Sequence, residues 1–101
     1  MDIPSDPVDR NLRGQELERD GQEDDAIACY EANVRDAFDG THPYERLAVI
    51  YRARDDLASE IRVLERALDV LRPMAQRPAM VKPYAKLTTR LDKAKQLAAK
   101  A

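Results

Sequence analysis

The chain has 101 residues, 44% apolar and 36% charged, with no Trp and a single Phe. That size and balance fit one small domain able to bury a core without disulfide or metal staples. One cysteine (Cys29) and one histidine (His42) exclude an internal disulfide framework and leave too few ligands for a Cys/His zinc site. The net charge of −2 hides a gradient: residues 1–40 carry −8, residues 41–71 carry −1, and residues 72–101 carry +7, with all five lysines in that last stretch.

Residues 1–6 read as a loose tail containing Pro4. Asp6-Pro7 then opens a helix, Asp as cap and Pro in the first turn where its missing N–H costs nothing. This first helix is expected from Pro7 to Asp20, closed by Gly21 in the left-handed conformation. A second runs from Glu23 to Phe38, with acids in its first turn and Ala26, Ile27, Tyr30, Val34, Ala37 and Phe38 along one face; Asp39-Gly40 ends it. Thr41 or His42 caps a third helix reaching Arg54, and Asp55-Asp56 forms the next turn, because Asp tolerates left-handed backbone. A fourth helix from Leu57 to Arg72 carries Leu57, Ile61, Leu64, Leu68 and Leu71 on one face and is stopped by Pro73. Three prolines, Pro73, Pro78 and Pro83, make residues 73–82 a connector. The last helix, residues 83–101, is basic and places Tyr84, Leu87, Leu91, Ala94 and Ala98 on one face. Nothing reads as a strand, so the expected class is all-α.

Sliding the sequence by 34 residues superposes the first helix pair on the second. Ile27 falls on Ile61, Glu31 on Glu65, Leu17 on Tyr51, Tyr30 on Leu64, Val34 on Leu68 and Gly14 on Ala48, and Gly21-Gln22 meets Asp55-Asp56. The period and these positions resemble the tetratricopeptide repeat, carried by Tyr44, Leu47, Ala48, Tyr51, Leu64 and Ala67 in residues 41–72. The first unit carries it on Gly14, Leu17, Ala26 and Tyr30. Departures are Arg10, Arg13 and Asn33 at apolar or small positions and Glu60 in place of the usual Ala. The resemblance covers residues 7–72 and implies antiparallel hairpins stacked in a right-handed superhelix. Two repeats are too few to close a continuous core. Tyr44, Leu47, Ala48, Val49, Ile50 and Tyr51 leave the third helix almost no polar face, so it should be buried all round. The last helix is the expected lid, with a second copy of the chain as the other candidate.

No convergent set of polar groups points to catalysis, and none to a cofactor or metal. His42 lies beside Pro43 at a helix start, where capping is the plainer role, and Cys29 is expected to be a packed thiol. Glu23-Asp24-Asp25 lacks the spacing and glycine of a calcium loop. The chain is therefore expected to be a non-enzymatic adaptor binding a protein or peptide. The resemblance implies a concave face made by the first helix of each repeat, here Asn11, Leu12, Gln15, Glu45, Arg46, Val49 and Arg52. Arg46 and Arg52 are able to fork onto a carboxylate. The lysine clamp some members of that family use for acidic C-termini is absent from these repeats. A second reading is nucleic-acid or acidic-partner contact through Lys82, Lys86, Arg90, Lys93 and Lys95, set against an acidic chain with no base-reading motif. The charge gradient adds salt-sensitive self-association as a third expectation. The longest apolar run, Leu47 to Tyr51, is far too short to span a membrane. The acidic first residues differ from a signal peptide, and a soluble, cytoplasmic protein is expected.

Overall fold

The computed structural model describes residues 1–100. Among these, five α-helices follow one another: α1 (Pro7–Arg19), α2 (Glu23–Arg35), α3 (His42–Ala53), α4 (Leu57–Leu71) and α5 (Pro78–Lys100), with a short 3₁₀ turn at Arg72–Met74. No strand occurs among the described residues. Each helix packs on its neighbour in sequence, as short connections require. Side-chain bonds from α1 to α3 and from α3 to α5 make those three helices one layer, while α2 and α4 form the other. The resulting body measures 35 × 34 × 20 Å.

The two hairpin turns repeat bond for bond. Gly21 and Asp55 both have positive φ, 75° and 58°. The N–H of Gln22 donates to the Leu17 carbonyl and that of Asp56 to the Tyr51 carbonyl, each at 2.8 Å. Gly21 and Asp55 donate to Glu18 and Arg52 at 3.1 and 3.0 Å. These are the paired bonds that close a helix through one left-handed residue. The same closure ends α2 earlier than the expected Phe38: Ala37 takes φ 58°, and the Phe38 N–H donates to the Asn33 carbonyl. An alanine there costs about 1 kcal/mol, and Asp39-Gly40 merely continues the connection.

One apolar cluster joins all five helices, from Leu17, Ala26, Tyr30 and Val34 through Tyr44, Leu47, Ala48 and Tyr51 to Val63, Leu64, Leu71, Leu87 and Leu91. Leu87, Leu91 and Ala94 are buried, so the chain's own last helix is the lid over the second hairpin. Val49 corrects the expectation of a fully buried α3, being 40% exposed. The last helix also starts five residues earlier than expected, at Pro78, and contains Pro83. Met80 and Tyr84 pack against the core, which recruits the preceding turn. Pro83 forfeits the bond to the Ala79 carbonyl and crowds it, but that residue is exposed in the first turn, where water satisfies the carbonyl.

Polar residues seal the open end of the first hairpin. Arg10 donates to the Pro4 carbonyl at 2.7 Å and to Asp36 at 2.6 Å, while Asn33 donates to the Pro7 carbonyl and to the Asn11 side chain at 2.8 and 2.9 Å. The tail is thereby pinned at Pro4 rather than loose throughout.

Gly14 leaves room for a side chain of α2: a Cβ there would lie 2.4 Å from Cε1 of Tyr30. Tyr30 is fully buried and its hydroxyl donates to Glu18, so the ring has little freedom to yield. Ala gains about 1 kcal/mol over Gly in helix propensity, whereas overpacking a fixed neighbour costs about 1–3 kcal/mol. Gly14→Ala should therefore destabilise the protein and lower the thermal midpoint by several degrees; a raised midpoint would show that Tyr30 moves freely.

Candidate functional site

The layer formed by α1, α3 and α5 is held together by two carboxylates. Glu18 on α1 accepts from Arg46 Nε at 3.0 Å and Nη2 at 2.6 Å, and from the Tyr30 hydroxyl at 2.7 Å. The Arg46 guanidinium holds the Glu18 carboxyl below its ordinary range, and Glu18 raises Arg46 in return. Glu60 on α4 is completely buried. It accepts from Arg52 Nε at 3.0 Å through Oε1, while its Oε2 lies 2.8 Å from Arg52 Nη2 and 3.2 Å from Arg90 Nε. Those last two approaches are not aligned as hydrogen bonds, leaving Glu60 Oε2 and Arg90 Nε held by charge alone. Arg52 also donates to the Arg90 carbonyl at 3.0 Å, and Arg90 Nη2 to the Ala48 carbonyl at 3.4 Å. Burial, then repulsion from Arg52, pushes the Arg90 guanidinium below its ordinary pKa.

Above this buried clasp lies a cleft of about 460 Å³ between α3 and α5, lined by Arg52, Lys86, Thr89, Arg90 and Lys93. Lys86, Thr89, Arg90 and Lys93 recur at helical spacing along one side of α5, next to the buried stripe of Leu87, Leu91 and Ala94. Val49 stands three residues before Arg52, one turn away on the same side of α3. A second hollow, between α2 and α4, is lined by Glu31, Val34, Arg35, Arg62 and Arg66. There Arg62 is bound to Glu31, Arg66 caps the carbonyls of Val34 and Arg35, and Arg35 pairs with Asp36 at 3.4 Å, so each cation of this hollow has an internal partner.

The structure brings together Arg52, Lys86, Arg90 and Lys93 from the sequence-derived candidates. Arg46 and Arg52 do fork onto carboxylates, but those of Glu18 and Glu60 within the chain. Asn11, expected on an open face, is turned into the first hairpin and buried. Gln15 is half-buried against His42 at 3.3 Å, Glu45 is half-buried, and Leu12 is exposed. Lys82 is exposed on α5 outside the cleft lining, and Lys95 is turned to the α4 flank, 3.9 Å from Glu65. Sequence reasoning missed Thr89 and the role of Glu60. A Glu at a position that packs a small residue was the signal, because a buried carboxylate demands cationic partners.

His42 and Cys29 are both packed. The His42 ring meets Tyr30 edge-on at 5.6 Å, and burial pushes the Cys29 thiol pKa up, which suppresses thiolate reactivity. No group of three or more His, Cys, Asp or Glu side chains placed to hold a metal occurs among the described residues. No described helix is long and apolar enough to cross a membrane. Comparison with known protein families, curated proteins and solved structures gives no significant match.

Burial, then Arg46, depresses the His42 pKa below its ordinary 6.5. The unfolded chain then binds the proton more readily than the folded one, so this contribution to stability is complete above 6.5 and lost as pH falls below it. Glu18 behaves likewise in the range below 4.5. Denaturation midpoints should fall between pH 7 and 5, and His42→Gln should flatten that slope; an unchanged slope would assign the loss elsewhere.

Proposed function

We propose that the chain is a non-enzymatic, tetratricopeptide-repeat-like adaptor whose α1–α3–α5 face holds an extended peptide segment of a partner protein. The observation that carries this reading is the α3–α5 cleft, where four cationic side chains meet one buried carboxylate beside the exposed apolar Val49. Leu12 extends the apolar surface onto α1, where it is 51% exposed. An interface needs apolar contact for affinity and charge for orientation, and this face offers both. The 34-residue spacing of the two turns supports the repeat comparison, with α5 in the place of a third repeat's first helix. A solvated cytoplasmic adaptor is the setting that fits such a face.

Nucleic acid is the weaker reading. A strand places a charge about every 3.4 Å, and the same layer continues from the cleft to Glu45 and Glu18 and into the half of the chain that carries −8. A long polyanion would be repelled there, whereas a short segment with one anionic group would not.

Selection of a degenerate peptide library on the full-length protein supplies the test, with affinities of the selected peptides read by fluorescence anisotropy. Leu12→Asp and Val49→Asp, both at exposed positions, should each weaken binding by about tenfold, the scale of one lost apolar anchor, with unchanged melting. Selected peptides that bind both variants as tightly as the original protein would contradict the proposed face. Arg46→Glu is unsuitable, since it would break the α1–α3 ion pair.

A further inference from the structure

The cations of the α3–α5 cleft outnumber their carboxylates. Arg52 and Arg90 share Glu60, and neither Lys86 nor Lys93 has a carboxylate within ion-pair distance among the described residues. The lining therefore carries an excess of three positive charges in a concave space of about 460 Å³, an arrangement that concentrates the field on an entering anion. We propose that this cleft binds a phosphoryl group carried on the peptide partner, so that the module reads a phosphorylated segment. This rests on the peptide-binding reading above and names the ligand of the same face.

The donors left free select the anion. The Arg52 fork is turned inward, Nε and Nη2 to Glu60 and Nη2 also to the Arg90 carbonyl, and Arg90 reaches the Ala48 carbonyl and Glu60. A planar carboxylate is recognised best by an open guanidinium fork, whereas the Nε–Nη2 edge of Arg52 is taken by Glu60 and Arg90 Nε lies against the same carboxylate. The lining side chains that make no internal bond at all are Lys86, Lys93 and Thr89, point donors spread over two turns of α5. A phosphoryl group carries about −1.5 to −2 charges and three acceptor oxygens, and satisfies several such donors at once. A single carboxylate satisfies fewer and neutralises less of the excess. The phosphoryl charge would also offset the Arg52–Arg90 repulsion.

The experiment uses the full chain and two degenerate peptide libraries, identical except for a fixed central serine that is phosphorylated in one. Inorganic phosphate and an oligodeoxythymidylate strand are run beside them, with amide shifts of the labelled protein locating each ligand. Expected are selected phosphopeptides that bind about tenfold or more tighter than their serine forms, the scale of one or two charge-assisted hydrogen bonds, with shifts at Arg52, Lys86, Thr89, Arg90 and Lys93. Lys86→Gln with Lys93→Gln should abolish that preference with melting unchanged, the phosphopeptides losing about tenfold more affinity than their serine forms. Equal affinity of the two peptide forms overturns the phosphoryl proposal while the peptide reading stands. A preference that survives the double substitution overturns the assignment to this cleft. Failure of both libraries, with or without binding of free phosphate, overturns the peptide reading and this proposal with it. Tighter binding of the oligonucleotide than of any phosphopeptide overturns both in favour of nucleic acid.

Discussion

A carboxylate buried where three helices meet sets the terms for the second half of this molecule. An ionised side chain removed from water costs several kcal/mol unless it is closely paired. Glu60, fully enclosed on α4, meets that demand with Arg52 from α3 and Arg90 from α5. The leucines of α5 supply the apolar burial, but leucine stripes tolerate sliding and rotation. Arg90 must reach Glu60 and the Ala48 carbonyl together, which permits one placement of α5. The same two guanidiniums form the floor of the cleft, so the device that seats the lid also makes the surface above it electropositive.

The first hairpin solves the equivalent problem without a buried acid. At the position matching Glu60 it has Ala26, and Gly14 lets the Tyr30 ring fill the space between α1 and α2. Charge then appears at the edge of the layer, where Glu18 ties Arg46 of the next unit to α1. Across the molecule, arginines of the second hairpin reach back to acids of the first: Arg46 to Glu18, Arg54 to Glu23 and Asp24, Arg62 to Glu31. Exposed pairs of this kind contribute little stability each, yet they fix the register of the stack. The lysines of α5 lie beyond that exchange, apart from Lys95 near Glu65. The steep charge gradient of the sequence therefore persists in the fold: residues 1–71 keep a net −9 despite these pairs, and the basic excess is left open on α5.

Local signals were legible in the sequence because they depend on neighbouring residues alone. Gly21 and Asp55 take the left-handed turns that their residue types favour, and the 34-residue shift places them in equivalent bonds. The leucine and tyrosine stripes identified the core and the lid for the same reason, since helical spacing fixes the face. Long-range polar partnerships were not legible. Asn11 is drawn inward by Asn33, 22 residues away, and Arg52 toward Glu60 because α5 closes over both. Packing also overrode proline: Met80 and Tyr84 hold the start of α5 against the core, so the helix begins at Pro78 and runs through Pro83. Of the cleft, the cations were visible as a helical stripe, while the carboxylate beneath them registered only as an oddity at a small-residue position.

Native-state hydrogen exchange on the Glu60→Ala protein, compared with the unsubstituted chain, tests the clasp most directly. Removing the carboxylate leaves two guanidiniums facing each other at the α3–α5 junction, each about a quarter exposed, a loss of about 3 kcal/mol at the lower end for a broken buried pair. Protection of the α5 amides should then drop by roughly two orders of magnitude, with a smaller loss along α3 and near-native protection in α1 and α2. Undiminished protection of α5 in Glu60→Ala would mean that the leucine stripe alone seats the last helix and that the buried charge holds nothing in place.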